Sequence, residues 1–135
     1  MKMSEIKVLV VDDEVEFAIS LTERLKLRNF FCRACYSGVD ALRLIEENIP
    51  DVVVLDLKMP DMSGLEVLSE IRKKYPGIQV IMLTGHGSIT SGIQGMEGGA
   101  FDYLMKPFDI NELEHKIRNA SKNIRPAPLG TGGAE

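Results

Sequence analysis

Asp51-Val52-Val53-Val54-Leu55-Asp56 is the stretch on which the fold turns. Positions 52 to 55 are all apolar, and a strand without polar alternation is buried on both faces. That is the situation of a central parallel strand covered by helices on both sides. The run ends on a carboxylate, Asp56.

Toward the N-terminus, Pro50 closes a helix that opens at Gly38 and turns Ala41, Leu42 and Ile45 inward. Before it the pattern predicts a strand at Phe30–Tyr36, a helix from about Glu14 to Leu27 in which Ala18, Leu21 and Leu25 share a face, and a first strand at Ile6–Val11. Toward the C-terminus comes a helix carrying Leu65, Leu68 and Ile71, which stops before Pro76-Gly77, and then the nearly all-apolar strand Ile78–Leu83. A weaker helix places Ile89, Ile93 and Met96 at helical spacing, and a short strand follows at Phe101–Met105. Six of the twelve glycines (Gly85, Gly87, Gly92, Gly95, Gly98 and Gly99) lie around this helix. Gly92 and Gly95 fall inside it at ~1 kcal/mol each relative to Ala, so it is expected to be the least stable helix, held mainly by its apolar stripe. The last helix begins after Asp109, a good N-cap with Glu112 as its capping-box partner, and buries Ile110, Leu113, Ile117 and Ala120.

Strand and helix therefore alternate five times. Right-handed crossovers make this a doubly wound α/β domain with a five-stranded parallel sheet and five helices, over residues 1–121. Pro126, Pro128, Gly130, Gly132 and Gly133 support no periodic element, so 122–135 is expected to be a flexible tail or truncated linker.

Composition narrows the function. The chain has 135 residues, 44% hydrophobic and 27% charged, the profile of one ordinary globular domain. A net charge of -4 and the absence of a dense Lys/Arg run give no field for polyanions, so direct nucleic-acid binding is not expected. No apolar run approaches the roughly 20 residues of a membrane span, and the N-terminus lacks a signal-peptide pattern, so a cytoplasmic location is expected. Cys32 and Cys35 spell C-x-x-C, but on a strand residues three apart face opposite ways, so the thiols should diverge rather than chelate.

In doubly wound sheets the ligand site lies beyond the carboxyl ends of the strands. Those ends are Asp12-Asp13-Glu14, Asp56, Thr84 and Lys106-Pro107. Three carboxylates at one edge repel one another unless a cation joins them, and Mg²⁺ suits one or two carboxylates together with phosphate oxygens. Lys106 adds a positive charge and Thr84 a hydroxyl donor. A carboxylate in those surroundings is suited to attack phosphorus while its neighbours offset the charge on the equatorial oxygens. Aspartyl phosphorylation at Asp56 is the predicted chemistry, with Asp56, Thr84 and Lys106 as the reacting set.

VLVVDDE at 8–14, LDLKMPDMSGLEVL at 55–68, VIMLTGHGS at 80–88 and GAFDYLMKPFD at 99–109 resemble response-regulator receiver domains, over about residues 5 to 121. Through TGHGS and GAFDYLMKPFD the resemblance is closer to receivers of sigma-54-dependent activators. It implies a flavodoxin-like sheet in the order 2-1-3-4-5 and a phosphorylation-dependent switch in a two-component system. A sensor histidine kinase or phosphotransfer protein would be the phosphoryl donor, and an effector domain or downstream protein would receive the signal. It also implies Mg²⁺ ligation by Asp13, Asp56 and the backbone carbonyl of Lys58, with Asp12 orienting the metal's waters. Thr84 and Lys106 would bind the phosphoryl oxygens, Lys106-Pro107 would be cis, and Thr84 and Tyr103 would act as the switch. Lys58 and His86, two residues after Asp56 and Thr84, are positioned to tune dephosphorylation. On this reading the domain is no conventional enzyme, although it assists its own phosphorylation and autodephosphorylation.

Two other readings fit less well. A haloacid-dehalogenase-type phosphohydrolase needs a second Asp two residues after the nucleophile, where this chain has Lys58, and a cap domain for which it has no room. A flavodoxin-type flavin binder needs hydroxyls and glycines after the first strand, where Asp12-Asp13-Glu14 would repel a phosphate.

Overall fold

The computed structural model describes residues 5–85 and 89–123. Ten elements alternate: β1 (Lys7–Val11), α1 (Val15–Lys26), β2 (Phe31–Cys35), α2 (Gly38–Glu47), β3 (Val52–Asp56), α3 (Gly64–Lys74), β4 (Gln79–Thr84), α4 (Ile89–Glu97), β5 (Asp102–Met105) and α5 (Ile110–Lys122). The strands form one sheet in the order β2-β1-β3-β4-β5, and every adjacent pair is parallel. β3 is central and all five of its residues are buried.

Period-two alternation divides the apolar residues between two cores. Val8, Val10, Val52, Val54, Ile81 and Leu83 face α1 and α5, meeting Ala18, Leu21, Leu25, Leu113 and Ile117. Leu9, Val11, Val53, Leu55, Val80 and Met82 face Ala41, Ile45, Val67, Leu68 and Ile71 on the other side. The two cysteines obey the same rule: Cys32 lies in the first core and Cys35 in the second. Burial pushes their thiols up to about 11 and about 12, which leaves both protonated and unreactive at neutral pH.

The stripes predicted for α1 and α5 are the ones buried, but α4 is turned differently. Ile93 and Met96 are 50% and 42% exposed, while Gly92 and Gly95 face inward. A Cβ at Gly92 would lie 2.7 Å from two ring carbons of Tyr103, and one at Gly95 would lie 2.9 Å from Cγ of Met82. The glycines thus let α4 sit against the sheet, in place of the expected stripe at Ile93 and Met96. In α3, Val67 joins Leu68 and Ile71 in the core while Leu65 is half-buried. The capping box falls at Ser63 and Glu66 of α3; Asp109 caps α5 by accepting from the Asn111 N–H at 2.8 Å and closes no box with Glu112. The expected tail lies, from residue 124 on, outside the described residues, as does His86.

Candidate functional site

Strand register brings the candidate residues together. Val11 pairs with Leu55, so the next residues, Asp12 and Asp56, emerge side by side. Asp56 in turn pairs with Leu83 and Thr84 with Met105, which places Thr84 and Lys106 at the same carboxyl edge. Asp12 and Asp56 follow Val11 and Leu55, which face α2 and α3, so alternation turns both carboxylates to the α1 and α5 side of the sheet.

Asp12 is fully buried. One of its oxygens accepts from the Glu14 N–H at 2.9 Å and the other from the Lys106 ammonium at 2.8 Å. Asp56 is 7% exposed and lies 3.3 Å from Lys106. Asp13 is exposed and opens with Lys58, Gly85 and Lys106 onto the cleft that Asp56 lines. Gly64 closes in behind Asp56: its N–H donates to the Leu57 carbonyl at 2.7 Å, and a Cβ there would lie 2.5 Å from the Asp56 carbonyl oxygen. Only a residue without a side chain lets α3 begin so close to the end of β3.

The charges are frustrated. Burial, and then the neighbouring Asp12 charge, push the Asp56 carboxyl up to about 6, with Lys106 pulling the other way. Burial lowers the Lys106 pKa, but its bond to Asp12 and the charges of Asp56 and Asp12 outweigh this and leave it above the ordinary lysine value. Asp12, Asp13 and Asp56 can each offer an oxygen such that all three lie within 4.8 Å of one another. An all-oxygen donor set in which the charges of Asp12 and Asp13 raise the Asp56 carboxyl fits a hard divalent cation, which would remove that repulsion. The Thr84 hydroxyl is fully buried and has no hydrogen-bond partner among the described residues, as suits a donor whose acceptor arrives with a ligand. The Lys106–Pro107 bond is cis, as the resemblance implied. Tyr103 is half-buried, its ring against α4 at Gly92.

Three further residues belong to the site. Glu14 accepts from Lys106 at 3.3 Å. The Phe17 ring lies under the ammonium, 4.3 Å from centroid to Nζ. Gly64 makes the close approach to Asp56. Glu14 was visible as the third acid of the run after β1. Phe17 reads from sequence only as an apolar residue of α1, and Gly64 only as a helix start.

Residues 8–118 match the family described as the response regulator receiver domain. Among curated relatives, the probable transcriptional regulator ycf27 of Guillardia theta is 44% identical over 125 residues, covering 93% of this chain and 49% of that protein. The DNA-binding transcriptional regulator NtrC of Proteus hauseri is 37% identical over 123 residues, covering 91% of this chain and 26% of that protein. This chain thus spans half or less of the length of these two relatives. Among solved structures, a putative response regulator from Chloroflexus aurantiacus superposes with a TM-score of 0.85 at 32% identity, covering 89% of this chain and 100% of that one. The chain belongs to the response regulator receiver domains, the phosphorylation-operated switch modules of two-component signalling.

Proposed function

We propose that Asp56 is the phosphoryl acceptor, taking the group from a phosphohistidine of a sensor histidine kinase or phosphotransfer protein. The observation that carries this reading is the setting of Asp56: a nearly buried carboxylate between the Lys106 ammonium at 3.3 Å and two further carboxylates, with a buried Thr84 hydroxyl at the same edge that has no hydrogen-bond partner among the described residues. An oxygen of Asp56 forms the new bond to phosphorus, the bond from phosphorus to the donor imidazole nitrogen breaks, and that nitrogen leaves with the electron pair. Lys106 and Thr84 bind the phosphoryl oxygens. Asp13, Asp56 and the backbone carbonyl of Lys58 would hold Mg²⁺, with Asp12 as the carboxylate beside its water shell, and the ion would supply charge neutralisation.

Lys58 overhangs the acceptor and tunes water attack on the acyl phosphate; His86 has the corresponding role after Thr84. In this way the domain assists both its own phosphorylation and its autodephosphorylation. Thr84 and Tyr103 carry the change to the face made by α4, β5 and α5, where an effector domain or downstream protein reads it. Residues 1–121, with Lys122 closing α5, form the signalling unit.

The experiment is incorporation of label from acetyl phosphate or a phosphohistidine donor. Asp56→Asn should take up none. Label that is acid-stable and hydroxylamine-sensitive, retained at the wild-type level in that variant, would refute the assignment.

A further inference from the structure

We propose that Phe17 is a positioning residue for phosphoryl transfer, holding the Lys106 ammonium over the cleft on the face of its ring; this rests on the acceptor reading of Asp56. A lysine head is a compact charge on a flexible four-carbon stem, so its position depends on its partners. Lys106 has three carboxylate partners, Asp12 at 2.8 Å and Asp56 and Glu14 at 3.3 Å each. Asp12 and Asp56 belong to the cluster that a cation would share, and Asp56 loses its carboxylate charge when it becomes an acyl phosphate. The Glu14 side chain is 68% exposed, and an ion pair in water holds little.

The ring is the partner that stays the same. It neither titrates nor ligates a metal, and its quadrupole attracts a cation within about 6 Å of the centroid, most strongly where water is excluded. Nζ lies at 4.3 Å and the Lys106 side chain is 20% exposed. The ring is itself braced. Phe17 packs against the core beneath α1 and α5, and Phe108 meets it edge-on at 6.2 Å and 86°. Phe108 comes two residues after Lys106, so the segment that carries the ammonium also steadies the surface it rests on. The plainer account is that Phe17 fills the rim of the core and the lysine stem lies on it as apolar stems do. Leucine would serve that purpose equally well, whereas a cation needs an aromatic face.

Wild type, Phe17→Leu and Phe17→Tyr are compared in two measurements. In the first, the rate constant for phosphorylation by acetyl phosphate at saturating Mg²⁺ should fall about 3- to 30-fold in the Leu variant and stay within about twofold in the Tyr variant. Mg²⁺ affinity should be unchanged in both, since neither phenylalanine nor its replacements at position 17 add or remove a carboxylate of the proposed ligand set. In the second, proton NMR should find the Lys106 side-chain methylene next to Nζ shielded by the ring in wild type and Tyr, and unshielded in Leu. Equal rates in wild type and Leu, equal losses in Leu and Tyr, or an unshielded methylene in the wild-type protein would each overturn the proposal. No incorporation into the wild-type protein would refute the acceptor reading and this role with it, even with the shielding present.

Discussion

Asp56→Asn keeps the shape of the side chain and removes its charge, so without metal it should stabilise the fold. Asp56 is held at about 6 in the folded protein by burial and by the charge of Asp12, whereas a carboxyl in an unfolded chain sits near 3.9. A carboxyl raised on folding contributes its stability below the unfolded value and loses it as pH rises through the folded one. About two pH units at about 1.4 kcal/mol each put the loss near 3 kcal/mol at neutral pH. Relaxation and water entry around a buried charge reduce this, so the Asn variant should be more stable by about 1 to 2 kcal/mol at pH 7.5. At about pH 4.5 the wild-type carboxyl is still largely protonated when folded, and the gap should shrink to about a third. The chain has no Trp, so urea unfolding in EDTA is followed by far-ultraviolet circular dichroism. Added Mg²⁺ should close the gap at pH 7.5 by binding the native wild-type protein. An Asn variant less stable than wild type in EDTA at pH 7.5, or a difference that does not change with pH, would refute the electrostatic account.

Three other expectations follow from the same geometry. Asp13→Ala should raise the Mg²⁺ concentration needed for half-maximal phosphorylation by about tenfold or more, as expected of a lost ligand; an unchanged titration curve would show that Asp13 is only a surface acid. Gly64→Ala should cost about 1 to 3 kcal/mol in denaturant unfolding, because its Cβ meets the backbone of Asp56 and Leu57, which cannot swing aside as a side chain would; wild-type stability would contradict that packing. Gly92→Ala should displace the Tyr103 ring and shift its NMR resonances, and resonances identical to wild type would mean that the ring does not rest on α4.

The order of the elements, and which residues gather at the candidate site, were legible in the residues alone. Val52 to Leu55 read as a strand covered on both faces, and in α1 and α5 the longest apolar stripe is the one buried, although α1 also leaves Val15 and Ile19 exposed. Once the doubly wound topology was read, the residues ending β1, β3, β4 and β5 had to share an edge, so Asp12, Asp13, Asp56, Thr84 and Lys106 were legible as a group. The orientation of α4 was not. Ile89, Ile93 and Met96 and the pair Gly92 and Gly95 each recur at helical spacing, and hydropathy favours the apolar set; the close approach of Tyr103 and Met82 decided for the glycines, because only they leave the ring room. Tertiary structure alone also set Phe17 under Lys106 and Gly64 against Asp56. A ring face and a missing side chain leave no charge or periodicity in a sequence, and their effect depends on how closely packing brings a neighbouring element.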